Sequence, residues 1–253
     1  MTIGTKKMMN IMQMIFRKKH LLLFPSVVFI VIFFYLGLLP SLAQSPNIYF
    51  GNKYIEALDF VKKNKQVWID YFGEKDAPKM MAIVFPEILR YNNALEEAET
   101  QLLKSLYVRF GNKYADFSIG YFQMKPSFAE KIEEKKGKIL QHTPQERSER
   151  VMRIKTIQGQ MEYLKDFSSI MYQRFPEIAQ INEQEQVIFL ASAYNLGFWF
   201  SKKAIEGWIG QKAFPSGKNA TFKFAYTDIA SEFFLKEAPK IFPNEWKIIL
   251  KIT

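Results

Sequence analysis

The stretch from Met80 to Leu95 is mostly apolar and contains a single acidic residue, Glu87. If this stretch is buried, the carboxyl group is costly to ionise, because desolvation raises the pKa of a carboxyl and lets it hold a proton near neutral pH. Pro86 fits the first turn of a helix, where its missing N–H is not needed, so we expect Glu87 in that turn. An ordinary acidic residue stabilised by a helix N-terminus is the alternative interpretation.

Apolar residues recur at helical spacing along most of the chain, and no strand pattern persists beyond a few residues. We predict helices in the following segments: Ile55 to Lys65, one opening at Pro86 to Leu89, Leu95 to Phe110, Pro126 to Lys135, Pro144 to Phe175 with a break at Gly159, Glu183 to Tyr194, Phe198 to Ile209, and Tyr226 to Phe234. Ala115 to Lys125 is predicted to be irregular, and Gly210 to Thr221 is predicted to be a loop. A short β-hairpin fits within Lys113 to Gln123. The fold class is therefore mainly α.

The first 43 residues differ in composition from the rest of the chain. They contain five basic residues and no acidic one, followed by the apolar segment Leu21 to Leu39 and by Ser41-Leu42-Ala43. These features predict a secretory signal cleaved after Ala43. An uncleaved membrane anchor is the alternative, because 19 apolar residues nearly span a bilayer. In both cases we expect export to the periplasm or cell envelope, with inner-membrane anchoring only in the second.

The charge and the rare residues of the chain exclude several kinds of site. Removal of the leader lowers the formal net charge from +10 to +5, since it removes five of the 35 basic residues. We expect no nucleic-acid partner for an exported chain of this moderate basicity, and a polyanionic cell-wall or membrane surface is the better explanation. The absence of Cys excludes disulfides and thiolate chemistry. With His142 alone after cleavage, we expect no metal site and no His-based triad.

Two further predictions concern polar segments. His142 lies in a polar stretch that is typical of a loop leading into a helix, so we expect it at the surface. The charged run Glu133 to Lys138 is predicted to form a solvated face. Acid–base chemistry would then depend on carboxyl groups, and glycosidic cleavage is a common reaction that needs only these.

Two segments downstream of Glu87 complete a pattern of three motifs. They are Ser118-Ile-Gly-Tyr-Phe-Gln-Met-Lys-Pro-Ser-Phe-Ala129 and Ala193-Tyr-Asn-Leu-Gly197. Together with Glu87, and in this order, they resemble the core motifs of the lytic transglycosylase and goose-type lysozyme-like family. The resemblance extends from about Met80 to Phe200. It implies a lysozyme-like helical domain, with a short hairpin near the active-site cleft, that cleaves the MurNAc–GlcNAc bond of peptidoglycan glycan strands.

The resemblance also implies a role for each motif residue. Glu87 would act first as acid and then as base, leaving a 1,6-anhydro product without any cofactor. The implied substrate-binding residues are Gly120, Gln123, Met124, Tyr194, Asn195 and Tyr226. Gly120 would allow close backbone approach or a sharp turn, and Gln123 would bind an acetamido group or a hydroxyl. Tyr194 would donate a hydrogen bond to Glu87, Asn195 would hold the acetamido group, and Tyr226 would border the cleft.

The sequence leaves two other functions open. A hydrolytic muramidase would need a second carboxylate, for which Asp116 is the candidate. A non-catalytic peptidoglycan-binding scaffold is favoured by Ile88, where the family usually has Ser, and by the charged insert Leu95 to Arg109. Aromatic residues near the motifs, including Trp199 and Trp208, are core residues or stacking surfaces for sugars.

We expect three regions in the chain. Residues 1–43 form the signal peptide or membrane anchor, residues 44–79 form an N-terminal helical extension, and residues 80–253 form the lysozyme-like domain.

Overall fold

Helices account for most of residues 45–215 and 222–252, which the computed structural model describes. The predicted leader, residues 1–43, lies outside these ranges. The α-helices, in chain order, are α1 Pro46–Phe50, α2 Asn52–Phe72, α3 Ala77–Arg90, α4 Asn93–Leu102, α5 Val108–Phe110, α6 Pro126–Lys135, α7 Pro144–Lys155, α8 Ile157–Arg174, α9 Glu183–Leu196, α10 Lys202–Trp208, α11 Tyr226–Glu232, α12 Ala238–Ile241 and α13 Pro243–Ile252. Two π-helical turns, Leu103–Tyr107 and Phe233–Glu237, continue α4 into α5 and α11 into α12. Within the described ranges, each helix is too short or too polar to cross a membrane.

A single small sheet was found in the described part of the chain. Strand β1, Lys212–Phe214, pairs antiparallel with β2, Phe224–Ala225, with an irregular register between the two pairs. The hairpin predicted within Lys113 to Gln123 is in the wrong place, since the pairing described there is one isolated bridge, from Ile119 to Met124 just beyond the predicted segment. The backbone next to this bridge is held by a side chain and not by a paired strand: the Gly120 N–H donates a hydrogen bond to the Glu96 carboxylate at 2.8 Å. The mainly helical fold class is confirmed.

Helix α3 lies at the centre of the core. Every residue from Ala77 to Leu89 is buried, and the helix packs against α2, α9 and α11. Apart from Lys79, Glu87 and Arg90 its residues are apolar, and a helix buried on all sides is stable only when other elements surround it, which accounts for this position. The ring of Phe85 stacks on that of Phe233 with centroids 4.2 Å apart. Residues Pro46–Thr253 form one compact unit, and the boundary predicted at residue 80 falls inside α3.

The prediction that a helix begins at Pro86 is wrong. Helix α3 begins nine residues earlier, at Ala77, with Pro78 in its first turn, so Pro86 lies in the helix interior and Glu87 in the last turn. An interior proline removes one helical hydrogen bond and crowds the preceding turn. Burial on all sides outweighs this cost. The Tyr226 hydroxyl donates to the Ile83 carbonyl at 2.9 Å, which adds a tertiary hydrogen bond to the turn that precedes Pro86.

Several other helix boundaries agree with the sequence. Helix α6 spans the predicted segment, and α9 ends at Leu196, directly before Gly197. The long segment after Pro144 breaks at Thr156, three residues before the predicted break at Gly159. Thr156 caps α8, since its hydroxyl accepts the Gly159 N–H at 3.1 Å. Helices α1, α12 and α13 were not predicted.

A buried ionic cluster joins the π-helical turn Leu103–Tyr107 to α6, α7 and α8. Glu133 accepts hydrogen bonds from Arg150 at 2.7 Å and from the Tyr163 hydroxyl at 2.6 Å. Arg150 also donates to the Tyr107 hydroxyl at 2.6 Å, and that hydroxyl donates to Glu130 at 2.8 Å. The predicted solvated face of Glu133 to Lys138 is therefore wrong for Glu133, which turns inward because Arg150 supplies its counter-charge.

Loss of Arg150 tests the contribution of this cluster to stability. We expect Arg150→Ala to lower the free energy of unfolding by about 3–5 kcal/mol, because the buried carboxylates of Glu130 and Glu133 would lose their buried cation and Glu133 would keep only the half-exposed Lys138, at 3.0 Å. Urea denaturation of the full-length chain measures the change. Lys62→Ala is the control: Lys62 pairs with Asp59 at 3.6 Å with both side chains more than half exposed, and its loss should cost less than about 1 kcal/mol. Similar losses in the two variants would contradict this role.

Candidate active site

Glu87 lies at a cavity of about 460 Å³ that also contains Gln123, Met124, Tyr194 and Asn195. The three sequence motifs thus meet at one place, and the volume falls within the range of small-molecule sites. Ala213 of β1 also lines the cavity, so the small sheet borders it. Other side chains in its wall include those of Arg90, Asp116, Ser118, Lys125, Trp199 and Trp208.

The Glu87 carboxyl is only partly compensated for its burial. Glu87 is 7% exposed. Burial raises the pKa of its carboxyl to about 7, although the positive charges of Arg90 and Lys125 lower it. The position in the last turn of α3 also disfavours the anion, because the C-terminal end of a helix carries negative partial charge. Arg90 Nε lies 2.8 Å from Glu87 Oε2, but outside hydrogen-bond geometry, and this oxygen has no hydrogen-bond partner among the described residues. The carboxyl can therefore give up or accept a proton near neutral pH.

Gln123 is held rigidly at the turn between Gly120 and Met124. Its φ of 48° is left-handed, and both its backbone N–H and its side-chain Nε2 donate to the Gly120 carbonyl, at 2.9 and 3.0 Å. Its Oε1 accepts from Arg90 Nη2 at 3.0 Å. These partners fix which end of the amide carries the oxygen.

Gly120 does not line the cavity. Its φ is 76°, and a Cβ at this position would lie 1.7 Å from Gln160 Nε2 and 2.8 Å from the Ile154 carbonyl. The expected sharp turn is present, but the close approach is to Gln160, whose amide donates to the Ile119 carbonyl at 2.8 Å. Gly120 therefore shapes the turn that presents Gln123. Met124 is buried and lines the cavity as expected.

The two tyrosines of the predicted site have other partners. The Tyr194 hydroxyl donates to the Phe122 carbonyl at 2.7 Å and not to Glu87 as expected. The Tyr226 hydroxyl donates to Ile83, and Tyr226 does not line the cavity, so the expected cleft position is wrong. In both cases a buried backbone carbonyl needs the donor. Burial, followed by the nearby Glu87, raises the pKa of both hydroxyls well above the ordinary value.

Asn195 lines the cavity from the end of α9, and its Oδ1 accepts from Trp208 Nε1 at 2.8 Å. Gly197 follows α9 with a φ of 126°, and a Cβ there would lie 2.7 Å from the Trp199 ring. The missing side chain thus lets the Trp199 indole lie against the backbone at the cavity wall. Lys131 Nζ is 5.0 Å from that ring.

Asp116, the candidate second carboxylate, is engaged on both oxygens. Its Oδ1 accepts the Ser127 N–H at 2.9 Å and its Oδ2 accepts the Ser127 hydroxyl at 2.6 Å. Ser127 is in the first turn of α6, so Asp116 satisfies an N-terminal backbone donor of that helix. This supports the interpretation of Asp116 as a structural acid.

The sequence interpretation missed Arg90, Ser118 and Lys125 as cavity residues. Arg90 was detectable in principle, because residues three apart on a helix are neighbours and an acid and a base so placed form a pair. Ser118 and Lys125 flank Gln123 in the motif, but nothing in the sequence indicated that they line the same cavity as Glu87. Among the described residues, no group of three or more His, Asp or Glu is placed to hold a metal.

Comparison of the chain with protein-family models, curated proteins and solved structures found no match. The chemistry of the cavity is therefore interpreted from its own geometry.

The protonation of Glu87 is directly measurable. We expect the Glu87 carboxyl carbon to titrate with a pKa of about 7, against about 4.3 for an unperturbed Glu. Carbon NMR of the full-length chain between pH 4 and 9 checks this, and loss of the resonance in Glu87→Gln assigns it. A Glu87 titration near 4.3 would contradict the burial seen here.

The same titration predicts how stability depends on pH. The folded state has the higher pKa, so the stabilisation by protonated Glu87 is complete below about 4.3 and is lost as pH rises through about 7. Wild type should lose roughly 2–3 kcal/mol over this interval that Glu87→Gln does not lose. Urea denaturation of both proteins at pH 5 and pH 8 gives the difference, and parallel losses would rule out the linkage.

Gly197→Ala should displace the Trp199 indole. The added methyl meets the ring and the residue must adopt a φ of 126°, so we expect a loss of about 1–3 kcal/mol in stability and a shift in tryptophan fluorescence. Gly207→Ala is the matched control, because Gly207 lies in α10 with no atom within 4 Å of its Cβ position. That variant should be neutral or slightly stabilising. Unchanged fluorescence in Gly197→Ala would contradict the packing.

Proposed function

We propose that this protein is an exported peptidoglycan lytic transglycosylase with a lysozyme-like helical domain, in which Glu87 is the acid and base. The observation that carries the proposal is a buried carboxyl with a pKa of about 7 at the wall of a cavity that also contains Gln123 and Asn195. A general acid is most effective when its pKa is close to the operating pH.

The reaction follows from this carboxyl. Protonated Glu87 gives its proton to the oxygen that joins MurNAc to GlcNAc, and the bond from that oxygen to the MurNAc anomeric carbon breaks. The N-acetyl group of MurNAc stabilises the resulting cation. The Glu87 carboxylate then removes the proton of the MurNAc C6 hydroxyl, whose oxygen attacks the anomeric carbon. The product carries a 1,6-anhydro ring, Glu87 recovers its proton, and no water or cofactor is consumed.

The other cavity residues suit a glycan. The amide of Asn195 has two N–H donors, and that of Gln123 has a second N–H besides the one donated to Gly120, and these donors suit the oxygens of acetamido groups and sugar hydroxyls. The indoles of Trp199 and Trp208 offer flat apolar surfaces for the C–H-rich faces of sugar rings. The commitment of both Asp116 oxygens to Ser127 favours the single-carboxylate route over a hydrolytic muramidase, which holds a second carboxylate free.

Digestion of purified peptidoglycan tests the proposal. We expect the full-length chain to release anhydro-muropeptides, detected by mass spectrometry. Glu87→Gln should slow this release by about 10²–10⁴-fold, the usual contribution of general acid–base catalysis. Asp116→Asn should keep the rate within about tenfold while lowering stability by about 1 kcal/mol, as expected for loss of a helix-terminal acceptor.

The other outcomes identify the alternatives. Reducing-end products, lost in Asp116→Asn, would assign a hydrolytic muramidase. Absence of any product from a folded wild-type protein that still co-sediments with peptidoglycan would overturn the enzyme proposal in favour of a non-catalytic scaffold. Absence of both cleavage and binding would overturn the peptidoglycan proposal altogether.

A further inference from the structure

We propose that Arg90 is a positioning residue that fixes Glu87, Gln123 and Ser118 as one unit at the cavity. The catalytic part of this inference rests on the proposed function of Glu87. The contacts of Arg90 do not depend on that function, and the NMR measurements of the Arg90 variants do not require activity.

The guanidinium of Arg90 joins two distant segments of the chain. Its Nε lies 2.8 Å from Glu87 Oε2 within α3. Its Nη2 donates to Gln123 Oε1 at 3.0 Å and to the Ser118 hydroxyl at 3.1 Å, both in the turn segment before α6. Ser118 in turn lies 3.4 Å from the same Gln123 oxygen. One side chain therefore sets the separation between the candidate acid and the amide that faces it.

The planar fork of an arginine suits this task. Its N–H groups point in fixed directions, so contacts on one side constrain those on the other, whereas a lysine supplies only a point charge. Gln123 is fully constrained as a result, because its Nε2 donates to Gly120 while its Oε1 accepts from Arg90. Arg90 is about one quarter exposed, and its position in the last turn of α3 is also favourable for a cation.

Arg90 also limits the effect of burial on Glu87. Burial raises the pKa of Glu87, and the positive charges of Arg90 and then Lys125 lower it. Titratable groups contact or approach Glu87 from each element around the cavity: Arg90 of α3, Asp116 and Lys125 of the turn segment, Tyr194 of α9 and Tyr226 of α11. Of these described groups, Arg90 is the one that lies within 3.0 Å of both the Glu87 carboxyl and the Gln123 amide.

The two effects of Arg90 are separable by substitution. Arg90→Gln removes both the charge and the fork, whereas Arg90→Lys keeps the charge alone. For Arg90→Gln we expect kcat on peptidoglycan to fall about 10–100-fold, as expected for a misplaced acid, and the alkaline limb of the pH–rate profile to move to higher pH. For Arg90→Lys the alkaline limb should stay close to that of wild type while kcat recovers only in part.

A purely structural arginine would behave differently. Arg153→Gln serves as the control, because Arg153 is half exposed, pairs with Glu162 at 3.5 Å and does not line the cavity. We expect it to leave both kcat and the pH–rate profile unchanged. If Arg90→Gln lowers stability but its remaining activity has the wild-type kcat and profile, the positioning role is overturned.

NMR of the full-length proteins separates this inference from the proposed function. In Arg90→Gln we expect the Glu87 carboxyl to titrate at higher pH than in wild type and the Gln123 side-chain amide to exchange faster with solvent. In Arg90→Lys only the amide exchange should change. These results would support the role of Arg90 even if wild type cleaved no peptidoglycan, whereas unchanged titration and exchange in Arg90→Gln would overturn it even if wild type were active.

Discussion

The burial of α3 on all sides is the constraint on which the rest of the structure depends. A mostly apolar helix whose residues from Ala77 to Leu89 are all buried needs neighbours on every side, and α2, α9 and α11 supply them. Glu87 is carried into the core by this requirement, and it reaches a cavity only because it occupies the last turn of the helix. The same packing thus sets both the position of the carboxyl and its raised pKa.

The sequence predicted much of the fold because most helices have regular apolar spacing and clear ends. Helix α6 begins at a proline, and α9 stops at a glycine, so local chemistry determines both boundaries. The start of α3 was mispredicted because the same local rule was applied to Pro86. Tertiary burial overrides the local cost of a proline in a helix interior, and a sequence window contains no information about that burial.

The sequence could predict which segments of the chain form the candidate site, but not the directions in which their side chains point. The motifs identified Glu87, Gln123, Met124 and Asn195, which do meet at one cavity. They could not show that Tyr194 donates to a backbone carbonyl, because that partner is fixed by the long-range packing of α9 on the turn at residues 118–125. In the same way, Glu133 became a core residue through Arg150 and Tyr163, which are distant in sequence.

The place of Glu87 on its helix has a chemical consequence. At a helix N-terminus the dipole would stabilise the carboxylate and keep its pKa low, whereas at the C-terminal end both the dipole and the burial favour the protonated form. Burial without compensation would make a good acid but a carboxyl too reluctant to ionise for the second step of the proposed reaction, in which it must accept a proton. Arg90 and Lys125 oppose the effect of burial and keep the pKa at about 7. A single carboxyl can then serve as acid and base in one cycle, because neither protonation state is strongly disfavoured near neutral pH.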